Sequence, residues 1–154
     1  MEIINTIDDL LNMKRKEEYE LACDLDAEGK KVKCILGDFS GKLNGKGHTI
    51  KNLRISDEIW GDEQTLALFY SMSKAEIRDI SFDNLLFDYD RTYYSPRVAI
   101  LGGSCSNSTI INVNATVRDS SGEDLTLVYE ANDCNMQNNK IVCNGKEVPA
   151  AKYN

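Results

Sequence analysis

A short motif recurs along this chain and constrains its fold more than any other feature. The run TIKNLRI at 49–55 is followed by EIRDISF at 76–82, TIINVNA at 109–115 and the weaker NMQNNKI at 135–141. The first apolar residues of these runs are Ile50, Ile77, Ile110 and Met136. Their spacing of roughly 26 to 33 residues predicts stacked structural units, each packed against its neighbours.

Each unit has the pattern of a β-strand. The runs are short, rich in β-branched residues and interrupted by Gly, Asn and Asp, which excludes a helix. Two residues after the first apolar position stand Asn52, Asp79, Asn112 and Asn138. In a parallel stack these side chains would lie about 4.8 Å apart, and asparagine amides would hydrogen-bond to each other along the stack. Asp79 can only accept, so we expect it to face donors or to lie at a turn.

A second series of apolar strands precedes the first. Its members are LALFYS at 66–71, VAILGG at 98–103 and LTLVYE at 125–130. We predict the turns between the two series at 45–47, 72–74 and 104–107, where residues that favour bends are concentrated. Gly45-Lys46 is not a phosphate-binding loop, because Gly47 stands where that motif needs Ser or Thr and Ser40 where it needs Gly.

Four sequence blocks resemble a known family. They are YELACDLDAEG, FSGKLNGKGHTIKNLRI, TLALFYSMSKAEIRDISF and RVAILGGSCSNSTIINV. In this order they are similar to the repeats of bacterial right-handed parallel β-helix proteins of the GLUG-motif type, over most of residues 19–117. The chain departs from the family's G-L-F-G motif at 67–70, which reads ALFY. The resemblance implies an all-β fold, a short right-handed parallel β-helix (solenoid) of about four coils.

The ends of such a solenoid need covers. We expect one domain over 1–154, with an N-terminal amphipathic capping helix in 1–18, coils over 19–143 and a tail over 144–154. The helix is predicted over 6–15, with Thr6 as its N-cap, with Ile7, Leu10 and Leu11 on one face, and with basic residues 14–16 at its end. The tail is expected to fold over the last coil through Val148 and Tyr153. If it does not, the open end is expected to pair with a second copy.

Charge and composition restrict the kinds of partner that the protein is expected to bind. The formal charge is −7 and the pI about 4.7, which argues against direct nucleic-acid binding and favours a protein partner with a basic surface. The alternative is that acidity only keeps the protein soluble. The chain start lacks a signal-peptide pattern, and no apolar run is long enough for a membrane span. We therefore expect a cytoplasmic protein, in a bacterial cell or phage-infected host.

Metal or redox chemistry is not indicated. The five cysteines contain no C-x-x-C pair, so we expect reduced thiols, no metal and no cofactor. The single histidine, His48, is expected to be a corner residue hydrogen-bonded to the backbone.

Three loops, at 56–64, 88–96 and 118–124, separate the units at an equivalent point. Stacking would merge them into one acidic ridge carrying aromatic anchors. The predicted partner-binding residues are Asp57, Glu58, Trp60, Asp62, Glu63, Asp88, Tyr89, Asp90, Tyr93, Tyr94, Asp119, Glu123 and Asp124. The alternative is that these are ordinary solvated loops whose aromatic residues fold back onto the strands.

The favoured function is a non-enzymatic protein-interaction module. By analogy of size and charge, it would be a small acidic inhibitor of a basic nucleic-acid-binding machine, of the phage anti-CRISPR or anti-restriction type. The alternatives are a carbohydrate-binding or adhesive module of a bacterial surface protein and, least favoured, a polysaccharide-active enzyme. Asp88 and Asp90 lie two residues apart on a loop, which fixes no separation suited to paired carboxylate catalysis.

Overall fold

A computed structural model describes residues 1–56, 65–89 and 96–154 of the chain, and in these residues the fold is all-β with one short helix. In chain order the elements are β1 (Glu2–Ile4), α1 (Ile7–Leu11), β2 (Glu18–Leu21), β3 (Leu25–Asp26), β4 (Lys31–Val32), β5 (Leu36–Phe39), β6 (Lys42–Asn44), β7 (Thr49–Lys51), β8 (Arg54–Ser56), β9 (Thr65–Leu66), β10 (Phe69–Ser73), β11 (Glu76–Asp88), β12 (Arg97–Val98), β13 (Gly102–Ser106), β14 (Thr109–Asp119), β15 (Val128–Asn132), β16 (Asn135–Gln137), β17 (Lys140–Cys143), β18 (Lys146–Val148) and β19 (Ala151–Tyr153).

Parallel pairing joins strands that are far apart in the sequence. In the described part of the chain, the largest sheet follows the order β1-β2-β6-β11-β14-β17, and each of these pairs is parallel. A second sheet, β19-β15-β13-β10-β5, is also parallel, as is the pair β12-β9. Short strands extend the largest sheet: β3 and β4 pair with β7 and β8, which pair with β11, and β16 pairs with β14. The structure thus confirms the all-β class with parallel sheets.

The register of the largest sheet tests the predicted repeat. Ile77 pairs with Ile110, and Ile110 with Met136, as the sequence predicts. The position assigned to Ile50 was wrong, because Ile50 pairs with Phe82 and Leu43 stands opposite Ile77. The second strand series is in the expected place, since the segments that begin near 66 and 98 are paired in parallel.

Asparagine and aspartate side chains stack at two corners. At the first, Asn112 Nδ2 donates to Asp79 Oδ1 at 2.8 Å and Asn138 Nδ2 donates to Asn112 Oδ1 at 2.6 Å. Asp79 also accepts from Arg78 Nε at 3.2 Å, so the donors expected for it are present. Asp79, Asn112 and Asn138 all have positive φ, the left-handed conformation that Asn and Asp tolerate.

Asn52 belongs to a different ladder from the one predicted for it. Asn84 Nδ2 donates to Asn52 Oδ1 at 2.8 Å, and Asn52 Nδ2 donates to Asp26 Oδ1 at 3.0 Å. Asn52 and Asn84 also have positive φ, of 62° and 52°. These residues therefore belong to two separate polar ladders, where the sequence suggested one.

The glycine-rich run at 45–47 forms a corner, as predicted. The sequence analysis matched this corner with the turns at 72–74 and 104–107, and that match was wrong. Gly45 N–H donates to the Arg78 carbonyl and Gly47 N–H to the Asp79 carbonyl, which places this turn beside the Asp79 corner. The turns predicted at 72–74 and 104–107 do correspond to each other, with positive φ at Lys74 and Asn107.

The N-terminal helix is shorter than predicted. It covers Ile7–Leu11, with a capping box between Thr6 and Asp9, and Leu10 is fully buried. Asn12 is its C-cap, so the basic residues 14–16 lie beyond the helix and not in its last turn. The strand β1, which precedes the helix and pairs with β2, was not predicted.

The C-terminal segment covers the core with one of its two predicted side chains. Val148 packs against the core from β18, which turns back antiparallel on β17. Tyr153 lies on β19, which pairs in parallel with β15, and it is 55% exposed, so its side chain does not cover the core. The interior itself is apolar, with Phe39, Phe69 and Phe87 fully buried and the first two rings stacked at 4.8 Å.

Candidate functional site

Three strands end side by side at the point where the predicted acidic loops begin. β8 ends at Ser56, β11 at Asp88 and β14 at Asp119. In the sheet, Asp88 pairs with Ser56, and Phe87 pairs with Asp119. The first residues of the three loops are therefore neighbours across adjacent strands.

Much of the predicted partner-binding set lies outside the described residues. These residues are Asp57, Glu58, Trp60, Asp62, Glu63, Asp90, Tyr93 and Tyr94. The structure places the other predicted residues, Asp88, Tyr89, Asp119, Glu123 and Asp124.

Asp88 forms an ion pair across the sheet. Its Oδ2 accepts a hydrogen bond from the guanidinium of Arg54 on β8, and both side chains are more than one-third exposed, Asp88 at 35% and Arg54 at 39%. Exposure weakens such a pair through solvent screening. The pair still neutralises part of the negative charge predicted for this edge.

Asp119 organises the third loop from inside. It is only 5% exposed, and its Oδ2 accepts from Ser121 Oγ at 2.7 Å and from Glu123 N–H at 2.9 Å. Its own N–H donates to Asn144 Oδ1 at 3.0 Å, which ties the loop to the end of β17. A buried carboxylate needs such partners, so Asp119 holds the shape of the loop.

Tyr89 joins this network from the second loop. Its side chain is 7% exposed, and its hydroxyl lies 3.3 Å from Asp119 Oδ2 and 3.1 Å from Ser121 Oγ. The same hydroxyl lies 3.4 Å from Glu123 Oε2. Tyr89 therefore folds back onto the strands, as the alternative interpretation of these loops predicted.

Of the predicted residues that the structure describes, Asp124 is the most exposed. Its side chain is 46% exposed and its Oδ2 lies 2.9 Å from Lys146 Nζ. Glu123 is half-buried, and its carbonyl accepts from Asn144 Nδ2 at 2.9 Å. In the described part of the loops, acidic side chains thus meet basic or polar partners from the same chain.

A second acidic cluster, which the sequence analysis did not single out, lies near the N-terminal helix. A surface depression there is lined by Asp8, Asp24, Asp26 and Glu28 together with Lys30, whose Nζ lies 3.2 Å from Asp8 Oδ1. The alternating acidic residues of DLDAEG at 24–29 are the signal that could have indicated it.

Hydrogen bonds lower the pKa of two carboxylates of this cluster. Asp24 Oδ1 accepts from Thr49 N–H at 2.9 Å and lies 3.2 Å from His48 Nδ1, and these two contacts lower the pKa of Asp24, the first more than the second. The pKa of Asp26 is lowered by Asn52, whose amide donates to it, and then by the Glu28 N–H. His48 was expected to bond to the backbone, but its ring contacts a carboxylate.

The chain gives no match in comparisons with protein-family models, with curated proteins or with solved structures. The resemblance to GLUG-type proteins therefore stays a prediction. Across residues 1–56, 65–89 and 96–154, no helix has the length and apolar character needed to cross a bilayer. In the same residues, no group of three or more His, Cys, Asp or Glu side chains is arranged to hold a metal ion.

Proposed function

We propose that the chain is a short right-handed parallel β-helix of about four coils that acts as a non-enzymatic protein-interaction module. The parallel register supports the solenoid, because Tyr19, Leu43, Ile77, Ile110 and Met136 follow one another on successive strands. The buried Leu10 supports a capping role for the helix.

The partner is a protein with a basic surface. The observation that carries this proposal is the common edge at which β8, β11 and β14 end, since it gathers the starts of three acid-rich loops. A formal charge of −7 adds a long-range attraction for a basic partner. We use the name acidic edge for the ridge that the sequence analysis predicted, which consists of the loops 56–64, 88–96 and 118–124.

The activity that fits a small acidic module is inhibition. Bound to the nucleic-acid groove of a defence complex, of the kind that anti-CRISPR and anti-restriction proteins block, the acidic edge would compete with phosphate charge. The alternative is a carbohydrate-binding or adhesive module. This alternative would use Tyr129 and Tyr153, whose rings are in edge-to-face contact, as a stacking surface for a sugar ring. Its support is limited, because Lys152 Nζ and the Arg97 guanidinium already lie over the Tyr129 ring, at 5.2 Å and 5.9 Å.

The test begins with capture from a host that carries a candidate defence complex, followed by mass spectrometry and by measurement of affinity for the recovered protein. Asp57, Glu58, Asp62 and Glu63 are then all changed to Lys. We expect a large loss of affinity at low salt that shrinks as salt is added, because exposed charges are screened.

The matched control changes four exposed glutamates elsewhere to Lys and alters the net charge equally. These are Glu2, Glu17, Glu28 and Glu147. If the control loses as much affinity as the loop variant, the overall charge and not the acidic edge drives binding. Recovery of cell-wall glycan without protein would favour the carbohydrate-binding alternative.

A further inference from the structure

Two cysteines that are far apart in the sequence are in direct contact. Cys105 lies on β13 and is fully buried, and Cys134 lies just after β15 and is partly exposed. Their Sγ atoms are 3.2 Å apart, and Cys134 Sγ is also 3.3 Å from the Cys105 carbonyl oxygen. The parallel pairing of β13 with β15, in which Cys105 stands opposite Ala131, fixes this approach.

We propose that Cys105 and Cys134 form a redox-modification site, in which a small-molecule disulfide such as oxidised glutathione converts the two thiols to an intramolecular disulfide. Both residues are free thiols in this structure. A disulfide bond is about 2.05 Å long, so its formation requires the two sulfurs to approach by roughly 1 Å. The proposal is independent of the proposed function.

The exchange proceeds in two steps. The Cys134 thiolate attacks one sulfur of oxidised glutathione, which forms a mixed disulfide on Cys134 and releases one glutathione thiolate. Cys105 then loses its proton and attacks Cys134 Sγ, which releases the second glutathione. Two protein thiols are oxidised to one disulfide, and one glutathione disulfide is reduced to two thiols.

The environment of each thiol sets this order. Cys134 is the accessible member, whereas Cys105 is shielded from a reagent of the size of glutathione. Burial, and then the contact with Cys134, raises the pKa of the Cys105 thiol to about 12. The second step is intramolecular and needs the Cys105 thiolate, so we expect that step to be faster at alkaline pH.

Other cysteines occupy different surroundings. Cys143 Sγ lies 3.3 Å from Leu125 N and 3.4 Å from the Glu123 carbonyl. Cys23 is exposed, and its Sγ lies 3.7 Å from the Asn5 carbonyl. Cys23 consequently provides a control for simple accessibility without a neighbouring thiol in contact.

The disulfide would close a ring that contains the loop 118–124. Cross-linking residues 105 and 134 restricts the unfolded chain, which stabilises the folded state. We expect the oxidised protein to unfold at a higher temperature than the reduced protein, and dithiothreitol to reverse the shift.

The experiment treats the folded full chain with oxidised glutathione at mildly alkaline pH, and then alkylates it with N-ethylmaleimide in denaturant. We expect Cys105 and Cys134 to escape alkylation without keeping a glutathione adduct, and proteolysis to release a peptide pair linked through these two residues. Cys134→Ser should abolish the link and the rise in unfolding temperature. Cys23→Ser should keep both.

Three results would overturn the proposal. They are alkylation of all five cysteines, a stable glutathione adduct on Cys134 with Cys105 still alkylated, and a disulfide that joins any other pair. Circular dichroism establishes that each variant folds, and Cys134→Ala replaces the serine variant if that one does not.

Discussion

Asn112 gives the sharpest test of how the corners hold the strands together. It is the middle member of the first ladder, where its amide donates to Asp79 at 2.8 Å and its oxygen accepts from Asn138 at 2.6 Å. Its φ of 56° is in the left-handed region. Asn112 thus supplies two hydrogen bonds and a backbone conformation, and two substitutions separate these contributions.

Asn112→Gly removes both hydrogen bonds and keeps the positive φ without strain. A hydrogen bond between neutral groups contributes about 1 kcal/mol, and one to a charged group about 1.5–3 kcal/mol. The Asp79 side chain is 33% exposed, which reduces the second figure. We expect the glycine variant to lose about 2 kcal/mol of unfolding free energy. Asn112→Ala adds the cost of a left-handed non-glycine residue, roughly 1 kcal/mol more.

The assay is equilibrium unfolding in urea, with circular dichroism and tyrosine fluorescence as probes. The urea concentration at the midpoint should fall for Asn112→Gly and further for Asn112→Ala. The slope of the unfolding free energy against urea concentration should not change. Asn114→Ala, on the exposed side of the same strand, should stay within about 0.5 kcal/mol of the parent. A glycine variant as stable as the parent would show that the ladder contributes nothing. An alanine variant equal to the glycine variant would refute the backbone part of the reasoning.

Two further predictions test the packing and the electrostatics. Gly41→Ala should destabilise the fold by about 3 kcal/mol or more in the same urea assay, because a Cβ there would collide with the Glu17 carbonyl oxygen. Gly37→Ala, with nothing within 4 Å of its Cβ, is the control and should be almost neutral. Asp24 has a pKa below its usual 3.8 in the folded chain, since the Thr49 N–H donates to it. Its stabilising effect is present above pH 3.8 and is lost as the pH falls through the lower folded pKa. Asp24→Asn should therefore show a smaller acid-induced drop in the thermal midpoint, and an unchanged acid profile would contradict this.

The sequence predicted the strand class and part of the register, and the error at Ile50 has a physical cause. Asn44 pairs with Arg78, and Thr49 pairs with Ser81. Between these two pairs, the segment that contains β6 and β7 has four residues, 45–48, whereas β11 has only two, 79–80. Both corner types use Asn or Asp at positive φ. Matching the corner residues in sequence therefore aligned Asn52 with Asp79, although they belong to different corners.

The sequence predicted that the three loops start side by side, but it did not predict where the described side chains of these loops lie. The alternation of β11 continues from the buried Phe87 to Tyr89, one residue beyond the strand, and the alternation of β14 continues from Val117 to Asp119. Both side chains therefore point inward, as residues two positions after a buried apolar one do in a strand. This signal was present in the sequence. What sequence could not provide is the set of partners, such as Ser121, that makes an inward carboxylate tolerable.

The positive-φ corners explain how weakly similar repeats can stay in register. Lys74 N–H donates to the Ser106 carbonyl and Asn107 N–H to the Asn132 carbonyl, so one corner is bonded directly to the next. Each strand must then bend at a fixed residue, so that its apolar side chains occupy the same position in the core as those of the neighbouring strand. Insertions at these corners would break the bonds between neighbours, whereas lengthening after Ser56, Asp88 or Asp119 would leave them intact. The edge where those strands end is consequently where this chain can vary its surface at least cost to its fold, which is why a partner-binding role is best sought there.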